Sequence, residues 1–116
     1  MLLYSLSLFA FAAIGGVIMV ALRLRRGENP PLGLAVVHGL AAASGLVVLL
    51  AATAQAGFSG PSSWSAGLLV IAALGGFVLF GTHLRDRLIG VPLVVTHAGV
   101  AVLGFLVLAF AWTAGG

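Results

Sequence analysis

The sequence predicts an all-α, polytopic membrane protein, a four-helix up-down-up-down transmembrane bundle made of two duplicated helical hairpins. Composition decides the class, because 62% of the 116 residues are hydrophobic and only 6% are charged. Such a chain has too little polar surface to fold as a water-soluble globule. The spacing of the apolar runs and an internal repeat supply the remainder of the prediction.

Four apolar runs are long enough to cross a bilayer, at about residues 2–22, 32–53, 64–84 and 91–112. About 20 residues, each rising about 1.5 Å, span a hydrocarbon core about 30 Å thick. The connections between the runs are short, so we expect sequential helices to pack as antiparallel neighbours in a single domain, residues 1–116. In the second connection, Ser59-Gly60-Pro61-Ser62-Ser63, we expect a serine to cap the third helix.

The basic residues fall in only two of the three connections: Arg23, Arg25 and Arg26 in the first, Arg85 and Arg87 in the third. The positive-inside rule then places the arginines in the cytoplasm and both termini outside, which we expect to be the periplasmic side of a bacterial-type inner (plasma) membrane. Tyr4, Trp64 and Trp112 fall at the opposite helix ends, where aromatic side chains anchor the outer interface. The net charge of +3 therefore reflects topology, and the bilayer, not nucleic acid, is the expected partner.

An internal repeat relates residues 1–56 to residues 62–116. An offset of 60 pairs Ala12, Gly15, Gly16 and Arg25 with Ala72, Gly75, Gly76 and Arg85, and an offset of 59 pairs Leu34, His38, Ala42 and Gly45 with Leu93, His97, Ala101 and Gly104. Each copy contains an even number of spans, so both have the same orientation. We expect a pseudo-two-fold axis along the membrane normal.

The repeated positions form one face on each helix. His38, Ala42 and Gly45 are spaced by four and three residues, and the fourth span repeats them as His97, Ala101 and Gly104. Each face consists mostly of small residues and ends, near the cytoplasmic side, in a basic or imidazole group; Arg23 and His83 hold that place in the first and third spans. The small residues alone are also typical of close helix packing in membranes.

His38 and His97 are the strongest candidates for a functional site. An imidazole about two turns inside a span costs free energy unless it is hydrogen-bonded, binds a ligand or faces a wet cavity. One interpretation is therefore an inter-helical hydrogen bond retained from the duplication. His83, which lies next to Leu84 and Arg85, has the simpler interpretation of a side chain that reaches the interface.

A haem b would use two imidazoles that face each other across a bundle. Its iron accepts a neutral imidazole nitrogen from each side, so His38 and His97, on diagonally opposite helices, are the predicted metal ligands. Its flat ring needs a slot, which small residues leave open: Ala42, Ala101, Gly45 and Gly104. Basic groups near the same membrane face are predicted to neutralise its propionates: Arg23 and His83.

In these residues the chain resembles the four-helix b-type cytochromes of membranes, including the cytochrome b561 group and the haem-carrying anchor subunits of respiratory enzymes. The b561 pattern holds two haems between two histidine pairs, whereas this chain has no histidine in its outer half. The resemblance therefore implies one haem, near the cytoplasmic face, in an electron-transfer protein or subunit and not a stand-alone enzyme. Quinone is a second expected cofactor, because an imidazole and arginines near a membrane face can also hold a quinone carbonyl.

Several other functions lack the residues they need. The absence of cysteine excludes covalent c-type haem and cysteine-ligated iron–sulfur clusters. The only carboxylates, Glu28 and Asp86, lie in the connections, so no buried acid serves a coupled transporter. Hydroxyl side chains such as Ser5 are expected to bond to their own helix. The remaining alternative is a non-catalytic helical subunit that packs against a larger membrane complex or a second copy.

Overall fold

The computed structural model describes residues 1–115 and contains, within that range, four α-helices and no strand. The helices are α1 (Leu2–Arg26), α2 (Leu32–Gln55), α3 (Pro61–Leu84) and α4 (Val91–Thr113). All four are long and apolar enough to cross a membrane. The prediction of an all-helical, multi-pass membrane protein is confirmed.

The four helices form an antiparallel bundle 42 Å long and about 22 Å wide. Helix α1 packs along α2, and α3 along α4, which makes two hairpins; the α2–α3 and α1–α4 contacts that join the hairpins are less extensive. Helices α1 and α3 are diagonal to each other, as are α2 and α4, so a rotation of half a turn about the bundle axis exchanges the hairpins.

The two ends of the bundle differ in chemistry. The connections 27–31 and 85–90 lie at one end, together with the arginines, and we call this the arginine end. The connection 56–60 and both termini lie at the other end, which we call the serine end because Ser59, Ser62 and Ser63 lie there. Because sequential helices are antiparallel, equivalent residues of the two repeats lie at the same height in the bundle.

Two helix ends differ from the sequence prediction. Helix α1 extends to Arg26 and ends where Gly27 adopts a left-handed conformation with φ of 66°, which glycine tolerates because it has no Cβ. Helix α3 begins at Pro61 with Gly60 as its N-cap, so the predicted serine cap is wrong. Proline takes the first helical position, where its missing N–H has no helical partner to lose.

The apolar core lies in the half of the bundle toward the serine end. Its buried cluster consists of Phe9, Leu49, Ala66, Leu69 and Leu108. The five largest side chains that are completely buried also lie in this half: Leu49, Leu108, Thr53, Ser5 and Ser65. In the arginine half, by contrast, the side chains at the equivalent stripe positions are only half-buried: Met19, His38, Leu79 and His97.

Candidate functional site

The imidazoles of His38 and His97 meet across the diagonal of the bundle. Their ring centroids are 6.3 Å apart, and the ring planes cross at 77°. Helices α2 and α4 do not themselves pack against each other, so the two side chains reach inward from opposite corners. The structure thus brings together the two residues that the repeat pairs in sequence.

Each imidazole is held by the backbone of the neighbouring helix in its own hairpin. The Nδ1 atom of His38 lies 2.7 Å from the carbonyl oxygen of Ala12 on α1, and Nδ1 of His97 lies 2.8 Å from the carbonyl oxygen of Ala72 on α3. A carbonyl oxygen only accepts, so Nδ1 carries the proton and donates in both rings. In the neutral imidazole, Nε2 is then left with a free lone pair.

Glycines on the neighbouring helix make room for both rings. A Cβ atom at Gly16 would lie 3.2 Å from Cε1 of His38, and one at Gly76 would lie 3.2 Å from Cε1 of His97. Both distances are tighter than ordinary contact, so glycine lets each imidazole lie against the backbone that holds it. The repeat pairs Gly16 with Gly76, but nothing in the sequence connects either glycine with a histidine.

A second pair of hydrogen bonds joins the helices of each hairpin toward the serine end. Ser5 Oγ donates to the carbonyl oxygen of Gly45 at 2.8 Å, and Ser65 Oγ donates to that of Gly104 at 2.8 Å. Both serines are completely buried. The expectation that Ser5 bonds to its own helix is wrong, because the close approach of α2 offers it a carbonyl that is shielded from lipid and water.

The four small residues of the predicted haem slot lie in the interior. A Cβ atom at Gly45 would approach the Phe9 ring to 3.1 Å, and one at Gly104 would lie 2.8 Å from Cγ of Leu69. Phe9 and Leu69 thus fill the space beside both glycines, as in close helix packing. The two alanines of the slot lie one turn nearer the histidines and are half-buried: Ala42 and Ala101.

Polar contacts at the arginine end connect the two hairpins. Arg23 Nε donates to the carbonyl oxygen of Ile89 at 2.8 Å. Asn29 Nδ2 donates to the carbonyl oxygen of Arg87 at 2.7 Å, and Asn29 Oδ1 accepts from the N–H of Ile89 at 2.9 Å. No motif or repeat in the sequence marks Asn29 as a functional candidate. His83, the repeat partner of Arg23, is half-buried near this end.

A groove beside His38 opens on the outer surface of the bundle, where the lipid lies. It has a volume of about 210 Å³, is almost entirely apolar, and is lined by Phe11, Ile14, Gly15, Ile18, Leu34, Val37 and His38. A second depression, of about 330 Å³, lies at the arginine end beside Arg26 and Glu28. Neither depression lies between the two imidazole rings.

No family model, curated protein or solved structure matches the chain. Within residues 1–115, no three histidine, cysteine or acidic side chains are grouped so that they could hold a metal ion. A metal at this site would therefore rest on the two imidazoles and on ligands from outside the chain. A haem supplies such ligands, because four nitrogens of its own ring bind the iron.

Proposed function

We propose that the chain is a small integral membrane b-type haem protein that carries electrons, with His38 and His97 as the axial ligands of one haem. The observation that carries the proposal is the pair of rings 6.3 Å apart, each with Nδ1 bonded to a backbone carbonyl. Histidines that bind metals characteristically donate their other ring N–H to a carbonyl or carboxylate, which fixes the tautomer and aims the free nitrogen.

The separation of the rings supports two ligands on one iron. Metal–imidazole bonds are about 2 Å long. A metal bound by both imidazoles would place their centroids about 6 Å apart, and the observed separation is 6.3 Å. A bound haem would supply a one-electron couple, and the imidazoles, the carbonyls of Ala12 and Ala72 and burial would tune its potential.

The macrocycle needs space beside the imidazoles, which the interfaces between the hairpins would have to provide. The contacts within each hairpin are the more extensive ones, so the α2–α3 and α1–α4 interfaces open more readily than the hairpins themselves. Ala42 and Ala101, one turn from the imidazoles, present only methyl groups to a flat ring. The proposal thus requires the α2–α3 and α1–α4 interfaces to open beside the imidazoles in the haem-bound protein, while the ring centroids of His38 and His97 stay about as far apart as the observed 6.3 Å.

Propionates are proposed to lie toward the arginine end, with Arg23 and His83 as their partners. Only Nε of Arg23 is used by the carbonyl of Ile89, so its two terminal nitrogens can bind a carboxylate in bidentate geometry. We propose that this end faces the cytoplasm of a bacterial-type inner membrane. The support is the concentration of arginines at one face and of tryptophans at the other.

Exchange of electrons with quinone is supported by the groove beside His38. The groove is apolar and opens toward lipid, the phase in which quinones diffuse. A quinone there would reach the edge of His38 without crossing the bundle. The chain would then serve as an electron carrier between the quinone pool and a partner, and not as a stand-alone enzyme.

The second candidate is a non-catalytic accessory subunit that packs in a larger membrane complex or with a second copy. The observation in its favour is that the hydrogen bonds of Ser5, Ser65 and both histidines all join helices within a hairpin. These bonds account for Nδ1 of each imidazole. They leave the two Nε2 atoms free to bind a metal, a capacity that the accessory role does not use.

Absorption spectroscopy of the purified full-length protein tests the proposal. The protein is expressed with ample haem, and its folded state is confirmed by circular dichroism and gel filtration. We expect a Soret band that shifts on reduction with dithionite. A folded protein that takes up no haem, either in the cell or on titration with haemin, favours the accessory subunit.

A further inference from the structure

The separation of the two imidazoles depends on how the hairpins are held together. His38 is fixed to α1 through Ala12, and His97 is fixed to α3 through Ala72. Each ring therefore moves with its own hairpin. The distance between the rings is set by the interface between the hairpins, which is the less extensive of the two kinds of helix contact.

All hydrogen bonds that join the two hairpins within residues 1–115 lie at the arginine end. Arg23 contributes one of them, through Nε to the carbonyl of Ile89. Asn29 contributes the other two, as a donor to the carbonyl of Arg87 and as an acceptor from the N–H of Ile89. The Asn29 side chain thus forms hydrogen bonds to the backbone of the third connection through both its amide nitrogen and its amide oxygen.

The contact does not follow from the duplication. The residues equivalent to Asn29 in the second repeat are Leu88 at an offset of 59 and Ile89 at an offset of 60, and neither has an amide. The Asn29 side chain of the first connection therefore bonds to the backbone of the third connection. Within the described residues, no side chain of the third connection bonds to the backbone of the first. Pro30 and Ile89, which flank this contact, are buried, so the bonds lie at the edge of a packed surface.

We propose that Asn29 is a positioning residue that sets the separation of His38 and His97 by clamping the first connection to the third. The clamp closes the arginine end of the bundle, and the imidazoles lie in the adjoining half, outside the completely buried apolar core. Its effect on the hairpins is independent of any cofactor; its effect on iron ligation rests on the proposed function.

Spin labels on the two hairpins test the clamp without haem. Val37 and Thr96 precede the two histidines at equivalent positions of the repeat, and both side chains are exposed. The chain has no native cysteine, so Val37→Cys and Thr96→Cys allow specific nitroxide labelling. Double electron–electron resonance then measures the distance between α2 and α4 in the full-length protein in lipid nanodiscs.

Asn29→Ala removes both bonds, and we expect the distance distribution to shift to longer values and to broaden. The matched control is Glu28→Ala, which changes the adjacent exposed residue, whose side chain forms no hydrogen bond in the described chain, and should leave the distribution unchanged. Asn29→Asp keeps the oxygen that accepts from Ile89 and loses the donor, so we expect a smaller shift in the same direction. If Asn29→Ala is not recovered folded, Asn29→Asp decides the question.

A loss of stability alone would not move the mean distance in the folded protein. An Asn29 variant with the same distribution as Glu28→Ala overturns the clamp. In haem-loaded protein we further expect Asn29→Ala to lower the fraction of low-spin iron relative to Glu28→Ala. If Asn29→Ala shifts the distance but the protein binds no haem, the clamp is supported and the haem proposal is rejected. If the protein binds haem but the distance does not shift, the haem proposal is supported and the clamp is rejected.

Discussion

Nδ1 of His38 donates a hydrogen bond to the carbonyl oxygen of Ala12 across the α1–α2 interface. The second hairpin repeats the bond between His97 and Ala72. The two halves of the sequence repeat thus share a ring orientation as well as a residue type. This hydrogen bond leaves Nε2 of each neutral imidazole with a free lone pair.

Replacement of Gly76 by alanine should disturb the His97 ring. The added Cβ would lie 3.2 Å from Cε1 of His97, so the ring must shift and its bond to Ala72 must lengthen. Nitrogen-15 chemical shifts of the imidazole should report the change. Gly81→Ala on the same helix is the control, because a Cβ there meets nothing within 4 Å; equal imidazole spectra for the two variants would contradict the contact.

Gly104→Ala should destabilise the bundle. A Cβ at this position would lie 2.8 Å from Cγ of Leu69, and overpacking of this kind costs about 1–3 kcal/mol. Thermal unfolding in detergent should show a lower midpoint. Gly99→Ala on the same helix meets nothing within 4 Å and should be neutral or stabilising, because alanine is favoured over glycine within a helix. A midpoint for Gly104→Ala at or above that of Gly99→Ala would argue against close packing.

Ser5→Ala should weaken the α1–α2 hairpin. The variant loses the buried bond from Ser5 Oγ to Gly45, and hydrogen bonds between transmembrane helices contribute about 0.6 kcal/mol on average. Ser7→Ala is the matched control, because Ser7 is exposed and donates to Leu3 of its own helix. Reversible unfolding in detergent measures the difference, and an equal loss in both variants would show that the Ser5 bond adds nothing.

Labelling of single cysteines tests the orientation. Glu28→Cys and Ser59→Cys place one thiol at each end of a chain that has none, and both native residues are exposed. We expect a membrane-impermeant maleimide to label position 59 in intact cells and position 28 only after lysis. Labelling of position 28 in intact cells would reverse the orientation and move the histidines to the outer face.

Much of the fold follows from the sequence, because hydrophobic length alone specifies four spans. The repeat then places His38 and His97 on equivalent faces of diagonal helices, and the structure brings them together. The partners of Nδ1 could not be predicted, because a backbone carbonyl has no signature in the side chains around it. The hydrogen bonds of Asn29 could not be predicted for a similar reason, since they depend on how two irregular connections meet.

The end of the apolar run does not mark the end of helix α1. The apolar run ends near Leu22, but the helix continues to Arg26. Arginine favours helix, and helix hydrogen bonding does not require apolar side chains. Hydropathy therefore located the membrane-embedded part of α1 and not the end of the helix, which Gly27 determines through its left-handed backbone.

The central claim is that His38 and His97 bind one iron from opposite sides, and electron paramagnetic resonance of the ferric protein tests it most directly. We expect a low-spin signal in the wild-type protein that becomes high-spin, or disappears with the haem, in both His38→Ala and His97→Ala. His83→Ala and Arg23→Ala should keep the low-spin signal, because these side chains are proposed to bind only the propionates. An unchanged low-spin signal in either His38→Ala or His97→Ala would contradict the claim, as would a folded wild-type protein that binds no haem.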